Sequence, residues 1–533
     1  MGSVMRPGDS ATPRTIVELY DEAAGLGVGV QAVEGERSLA EIAGRGRSLA
    51  SALSELGVEP GERVAAWLSN STDYMALQAA TARLGAILVA VNTRFAAREV
   101  VDIVSRSESR VLLAETGMPL GSDAFAAMPA LRHLVRRGDT KDEDKVPNRI
   151  ARFAFADLVR AAPMGGDRAS PDALSTVFTT SGTTAAPKFA AHDQAAVVGH
   201  AADVAEALAF RPGAVSLQLL PFCGVFGFVQ VMAALAGGAE MVMPGAFDAA
   251  RAAAIARSGG ATHLFATDDM IHRMLETLPE GTTAPAFPAL EVAAFALFNS
   301  ALADLPARAA ALGIPMLAPF GMSEVFAIFA VRRHTDAAEV RHRAGGRMVN
   351  AAARARVRDP DSGEILPHGA VGELEVKGPH MFRQYFGDAS ATEAAFTEDG
   401  YLRTGDLGST ESDDTFTYLQ RAGDTLRLSG FLVSPAEIEA VVMAEPGIDA
   451  AQVVAVGTPD GNRPVAFVIA AGGAAIDEAA VIAAVGRVLP KFKTPVRVIR
   501  VDAFPLTHGA NGTKIQRAKL RAMAQAALEA GKV

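Results

Sequence analysis

The chain has 533 residues, half of them hydrophobic and 21% charged, which is too long for one ordinary core and too apolar for a disordered chain, so at least two globular domains are expected. Fifty basic residues against sixty acidic ones leave a formal charge of -10 with no long basic block, which argues against nucleic acid as a partner. The single cysteine, Cys223, excludes an intrachain disulfide and a Cys-rich zinc site, and points to a reducing compartment, the cytoplasm.

The first residues, MGSVMRPGDSATPRT, lack the apolar stretch of a secretory signal. The most apolar windows, such as LGAILVAV at 84–91, are far shorter than the roughly 20 residues that cross a bilayer, so no membrane span is expected. From 39 to 57 the spacing predicts an amphipathic helix ended by Gly57, followed by a buried strand in ERVAAWLS. The unit repeats: helix 73–84 before AILVAVN, helix 96–106 before RVLLAE, helix 195–209 before AVSLQLLP. Such alternation predicts an α/β protein with parallel sheets flanked by helices. Between about 345 and 420 short strands and Gly-rich turns (GELEVKG, EDGYLRTGD, TFTYLQR) predict a β-rich subdomain, completing a large N-terminal domain, 1–420. A hinge at 421–424 then leads to a small α+β C-terminal domain, 425–533, ending in a basic helix near 514–529.

The most specific segment is TTSGTTAAPK, 179–188, after the strand-like LSTVF. Hydroxyls clustered around Gly182 and closed by Pro187 and Lys188 can surround a polyphosphate with donors and one cation. The common P-loop is excluded, because Pro187 precedes the lysine and Phe189 follows it. Taken alone, such a segment is more often a turn between strand and helix.

With this segment the chain resembles the adenylate-forming superfamily of acyl-CoA synthetases, peptide-synthetase adenylation domains and luciferases. The resemblance implies that Thr180, Ser181, Gly182, Thr183, Thr184 and Lys188 hold the β- and γ-phosphates of ATP. Ala185 stands where the family has Gly, and a Cβ there penalises positive φ. FGMSE, 320–324, matches a second signature that implies nucleotide binding: Phe320, in place of a Tyr, would stack on the base, Gly321 would let backbone approach, Met322 and the Ser323 hydroxyl would help bind the nucleotide, and Glu324 would hold magnesium. YLRTGD, 401–406, and Arg421 match a third, with Asp406 accepting hydrogen bonds from the ribose diol and Arg421 supporting it. RAGDTLRLSGFLVSPAEIE, 421–439, resembles the hinge and the opening of a mobile lid, with Asp424 as hinge residue, Gly423 and Ser429 departing from the family pattern, and Gly430 near the path of pantetheine.

The last match, LTHGANGTKIQRAKLR at 506–521, presents Lys514 on a flexible Gly-containing turn before a basic helix, where it would bring positive charge to the oxygens that gain charge as a carboxylate attacks the α-phosphate. Taken alone, the same residue reads as a solvated lysine at a helix start.

By the same likeness the acid sits near PFCGVFGF (221–228), ATDDM (266–270) and ALFNSALA (296–303), which brings in Phe222, Gly224, Phe226, Asp268 and Phe298. Asn299 and Ser300 take positions where the family has small glycines beside the nucleotide. Gly224 replaces a gating His, and Phe298 with Asn299 narrows the pocket and adds polarity, so a short or functionalised acid is expected. Phe222, Phe226 and Phe228 also read as core, and Asp268 and Asp269 as caps of the following helix. His192 reads either as support for the phosphate loop or as a structural histidine, and Cys223 has no basic neighbour to activate it.

The expected enzyme uses ATP and Mg2+ to convert a small acid to an acyl adenylate with release of pyrophosphate, and then forms a thioester with coenzyme A. Other small acceptors stay open, including an amine, as do a small inorganic acid such as nitrite, a nucleotide-binding relative without catalysis, and a homodimer.

Overall fold

The structure, a computed structural model, describes residues 14–117, 120–138, 146–180, 187–296, 302, 304–422, 426–428, 431–433, 435–458, 461–509 and 512–530. Helices start where side chains can take the orphan amides of the first turn. Thr15 and Ser38 each accept from the amide three residues on while Glu18 and Glu41 reach back, two reciprocal capping boxes. The helix Leu39–Glu55 ends just before Gly57, whose φ of 81° suits a residue without Cβ. The helices Thr72–Leu84, Ala97–Arg106 and Gln194–Ala207 each precede a strand, as the alternation predicts.

Two large sheets result. The first runs, edge to edge, Met316–Leu317, Val292–Ala296, His263–Thr267, Val215–Gln218, Glu240–Met243, Gly29–Ala32 and Gly35–Ser38, parallel except for the last hairpin. This hairpin leaves little signal in the sequence, because four-residue strands with partly exposed faces carry little periodicity. The second sheet runs Gln384–Tyr385, Phe189–Asp193, Leu174–Thr179, Ile87–Ala90, Arg63–Trp67, Val111–Glu115, His133–Arg137 and Ala151–Ala154. One buried cluster joins residues of both sheets, among them Val30, Val64, Leu88 and Phe265. It includes the helix Val225–Gly237, buried at every residue because it is apolar on all sides.

An antiparallel six-stranded sheet follows, from Ala330–Val331 through Gly345–Met348, Thr415–Arg421, Leu402–Ser412 and Gly372–Lys377 to Arg354–Arg358. The small C-terminal domain has its own core around the strands Ile448–Thr458, Gly461–Ala470 and Arg497–Arg500. Among the described residues both of its clusters draw only on positions from 426 onward, and the other clusters only on positions before 419.

Candidate active site

The strands Leu174–Thr179 and Phe189–Asp193 are antiparallel neighbours, so the hydroxyl-rich segment joins two strands rather than a strand and a helix. Its base is closed by hydrogen bonds from the Thr180 amide to the Lys188 carbonyl (2.8 Å) and from the Lys188 amide to Thr180 Oγ1 (3.2 Å). Ser181, Gly182, Thr183, Thr184 and Ala185 lie outside the described residues. Phe189–Asp193 takes Gln384–Tyr385 on its other side, with Tyr385 opposite Ala190. Lys188 Nζ then sits 4.6 Å from the centre of the Tyr385 ring, a favourable place for an ammonium.

FGMSE turns back on itself. The Phe320 amide donates to the Ala330 carbonyl (2.9 Å), the Phe329 amide to the Phe320 carbonyl (2.8 Å) and the Ala327 amide to the Met322 carbonyl (3.0 Å). A Cβ on Gly321 would fall 1.2 Å from the Ala327 oxygen, so only glycine fits the crossing. Phe326 and Ala327 are both left-handed, at φ 54° and 72°, which costs about 1–2 kcal/mol each. The fully buried Phe326 ring offsets this by packing with Phe178 and Phe228 at centroid distances of 5.9 and 5.8 Å and with His192 at 5.0 Å.

The turn delivers Glu324, 6% exposed, so that its Oε1 accepts a 2.7 Å hydrogen bond from the Tyr385 hydroxyl. Burial, then the Glu324 carboxylate, push the Tyr385 phenol above its ordinary pKa, against the nearby Arg421 cation, so the phenol keeps its proton and donates. The Phe382 amide donates to the Glu324 carbonyl (2.7 Å), and Arg383 pairs with buried Asp193, whose other oxygen caps the helix Gln194–Ala207.

His192 supports this turn. Its Nε2–H donates to the Ser323 carbonyl (2.8 Å), and burial depresses its pKa to about 4, leaving a neutral ring. The Phe320 ring is 4% exposed and packed edge-on against Phe416 and tilted against Tyr418.

The third motif is a turn held by its own hydrogen bonds. Thr404 Oγ1 donates to the Leu374 carbonyl (2.6 Å) and accepts from the Asp406 amide (3.1 Å), while Gly405 takes φ 70° between them. Asp406, 2% exposed, lies opposite Arg421 in the sheet register, with Arg421 Nε 3.1 Å from its Oδ1. Tyr385 is thus the junction at which Lys188 and Glu324 meet, with the Arg421 cation near enough to act on its phenol. Sequence reading missed it: no local pattern marks a two-residue strand that pairs almost two hundred positions upstream. Phe326 was missed too, because a bulky residue gives no sequence signal for a left-handed backbone.

Other predicted residues separate. Phe222 (2% exposed) packs edge-on against Tyr74, Phe226 (9%) stacks on Phe265, and Phe228 belongs to the same core, so their rings are core packing. Gly224 is the N-cap residue of Val225–Gly237. Thr267, not Asp268 or Asp269, caps the next helix, because its hydroxyl rather than a carboxylate meets the Met270 amide (3.3 Å); Asp268 and Asp269 occupy the first turn, where negative charge suits the helix dipole. Cys223 is buried and its thiol is pushed up to about 12, which excludes an activated nucleophile. Phe298, Asn299, Ser300, Gly423, Asp424, Ser429 and Gly430 lie outside the described residues. Lys514 stands on a strand, not on a turn: Gly512–Ile515 pairs with Leu506–Gly509, placing Lys514 opposite Thr507, and the helix begins only at Arg517.

A hard divalent cation takes one or two carboxylates plus substrate phosphates. Glu324, tied through Tyr385 to the base of the hydroxyl-rich hairpin, is a donor that fits magnesium. Among the described residues no helix is long and apolar enough to cross a membrane.

The family described as AMP-binding enzyme matches residues 30–386, and the AMP-binding enzyme C-terminal domain matches 437–510. The chain is 31% identical over 489 residues to a (methyl-dioxo-octahydroindenyl)propanoyl:CoA ligase of Mycobacterium tuberculosis, covering 88% of this chain and 91% of the relative. It is 30% identical over 490 residues to a sulfoacetate–CoA ligase of Cupriavidus necator, covering 89% of each. ATP-bound MatB from Rhodopseudomonas palustris superposes with a TM-score of 0.81 at 25% identity, covering 95% of this chain and 98% of that one. The chain therefore belongs to the AMP-binding enzyme family, and within it to the adenylate-forming, acyl-CoA synthetase type.

Proposed function

We propose that this enzyme joins a short or polar carboxylic acid to coenzyme A through an acyl adenylate. The acid's carboxylate oxygen attacks the α-phosphorus of ATP, the bond to the bridging oxygen breaks, and pyrophosphate leaves. The thiol of coenzyme A then attacks the acyl carbonyl and AMP departs. The observation that carries this reading is the convergence of Lys188 and Glu324 on Tyr385, since these come from two motifs more than a hundred residues apart.

Thr180, Ser181, Gly182, Thr183, Thr184 and Lys188 would bind the β- and γ-phosphates, Asp406 would accept from the ribose hydroxyls, and Arg421, paired with Asp406, would orient it. Magnesium, held by Glu324, would neutralise phosphate charge when bound. Lys514 supplies positive charge where the α-phosphate oxygens become more negative. The resemblance makes Asp424 the pivot that would exchange the adenylating and thioester-forming positions of the lid, and sets Gly430 near the path of pantetheine. Polarity at Asn299 and Ser300, together with the sulfoacetate–CoA ligase among the relatives, supports a small functionalised acid.

The test is acid-dependent pyrophosphate release over a panel of small acids, with and without coenzyme A. Lys514→Ala is expected to lower the adenylation rate about 10²–10³-fold, the effect of removing one preorganised group that stabilises transition-state charge. Unchanged release in Lys514→Ala, or no acid-dependent release from the wild type, defeats the proposal.

A further inference from the structure

A second set of ligand-bearing side chains lies on the helix that follows the hairpin. His200 and Asp203, three residues apart on Gln194–Ala207, share one helix face, and His380, beyond the strand Gly372–Lys377, comes up against it. A ring nitrogen of each histidine and a carboxylate oxygen of Asp203 lie within 4.8 Å of one another. The three residues line a small pocket with Val325, Phe329, Val349, Asn350 and Pro379, whose remaining walls are mostly apolar.

His200 is only 3% exposed, yet its Nε2 has no hydrogen-bond partner. A buried ring nitrogen left unmatched costs free energy unless something else takes it. Asp203 Oδ2 is already aimed: it accepts from His380 Nδ1 (2.8 Å) and Asn350 Nδ2 (2.9 Å). The approach of His380 depends on Gly199, where a Cβ would fall 2.2 Å from His380 Nε2.

We propose that His200, Asp203 and His380 form a site for a divalent transition ion of the zinc class, with ligands separate from Glu324. Two imidazoles and one carboxylate are a donor set that zinc accepts with a fourth position open to water, whereas magnesium and calcium prefer oxygen alone. Zinc holds such ligands at about 2.0–2.2 Å, so an ion at the centre of the three needs them to close in by less than about 1 Å. Coordination at His380 Nδ1 replaces its hydrogen bond to Asp203, with the ring proton moving to Nε2. A bound ion would tie the helix to the segment before Phe382–Tyr385, which holds Glu324.

The test is calorimetric titration of the chelator-treated full-length protein with Zn2+, without ATP or Mg2+. One saturable site per chain is expected. His200→Ala, Asp203→Asn and His380→Ala should each weaken it about tenfold or more, as disruption of metal-site contacts does. Gly199→Ala should do the same with every ligand intact, and Glu324→Gln should not. Tetrahedral Co2+ should give a visible absorption band that is lost in His200→Ala. Absence of saturable binding, or equal affinity in folded His200→Ala or Asp203→Asn, overturns the site. Because the readout is binding, it is independent of whether the enzyme makes an adenylate.

Discussion

Tyr385 holds a carboxylate with one hydroxyl, and that bond can be removed without changing the ring under Lys188. A hydrogen bond to a charged group contributes about 1.5–3 kcal/mol, so Tyr385→Phe should reduce kcat/KM for pyrophosphate release about 10–100-fold and raise the Mg2+ concentration needed for half-maximal rate. Steady-state kinetics across a magnesium series checks both. His192 supplies a pH test. Its pKa falls from the ordinary 6.5 to about 4 on folding, so between those values the unfolded chain binds the proton and the folded chain does not. The neutral ring's contribution is complete above about pH 6.5 and is lost as pH falls toward 4, by up to about 3 kcal/mol. Urea unfolding of the wild type and His192→Gln at pH 7.5 and 5 should show the wild type losing more stability, since the variant has no such proton to take up.

Turns carry the three family motifs, and the backbone of one of them is crowded. The crossing of Gly321 under the Ala327 oxygen leaves no space for a methyl group, so Gly321→Ala must displace the segment bearing Glu324. Overpacking of this kind costs about 3 kcal/mol or more. The expected result is a lowered denaturation midpoint together with near-complete loss of activity, whereas Gly44→Ala, with open space around its Cβ position on the helix Leu39–Glu55, should leave both unchanged or improve stability. The sequence was legible at just this level. Capped helices before apolar strands showed the α/β alternation, and the three signature turns stood out because Gly, Ser, Thr and Asp are used where backbone direction changes. What stayed hidden depends on pairing across long separations: the antiparallel partner that makes the phosphate segment a hairpin, the two-residue strand bearing Tyr385, and the hairpin that puts Lys514 on a strand. The three phenylalanines near 222–228 read both ways, since an apolar ring suits an acid pocket and a core equally until burial decides.

At the scale of the whole molecule, the C-terminal core shares no described residue with the rest, so each part buries its own apolar surface. A chain cut after Arg421 should keep its main calorimetric transition within a few degrees and still bind ATP, yet release no pyrophosphate, because Lys514 goes with the missing piece. Collapse of that transition in the shortened chain would show that the two parts stabilise each other. The clasp between Thr180 and Lys188 bears on how such enzymes diversify. With the two ends of the segment already joined by their own amides, the entropy of bringing them together is spent before the intervening side chains are chosen. On the proposed reading, those seven positions form an exchangeable cassette: a stretch grafted from a related ligase meets a seat of fixed width, and triphosphate handling can drift or be transplanted while the choice of acid, encoded elsewhere along the chain, is inherited untouched.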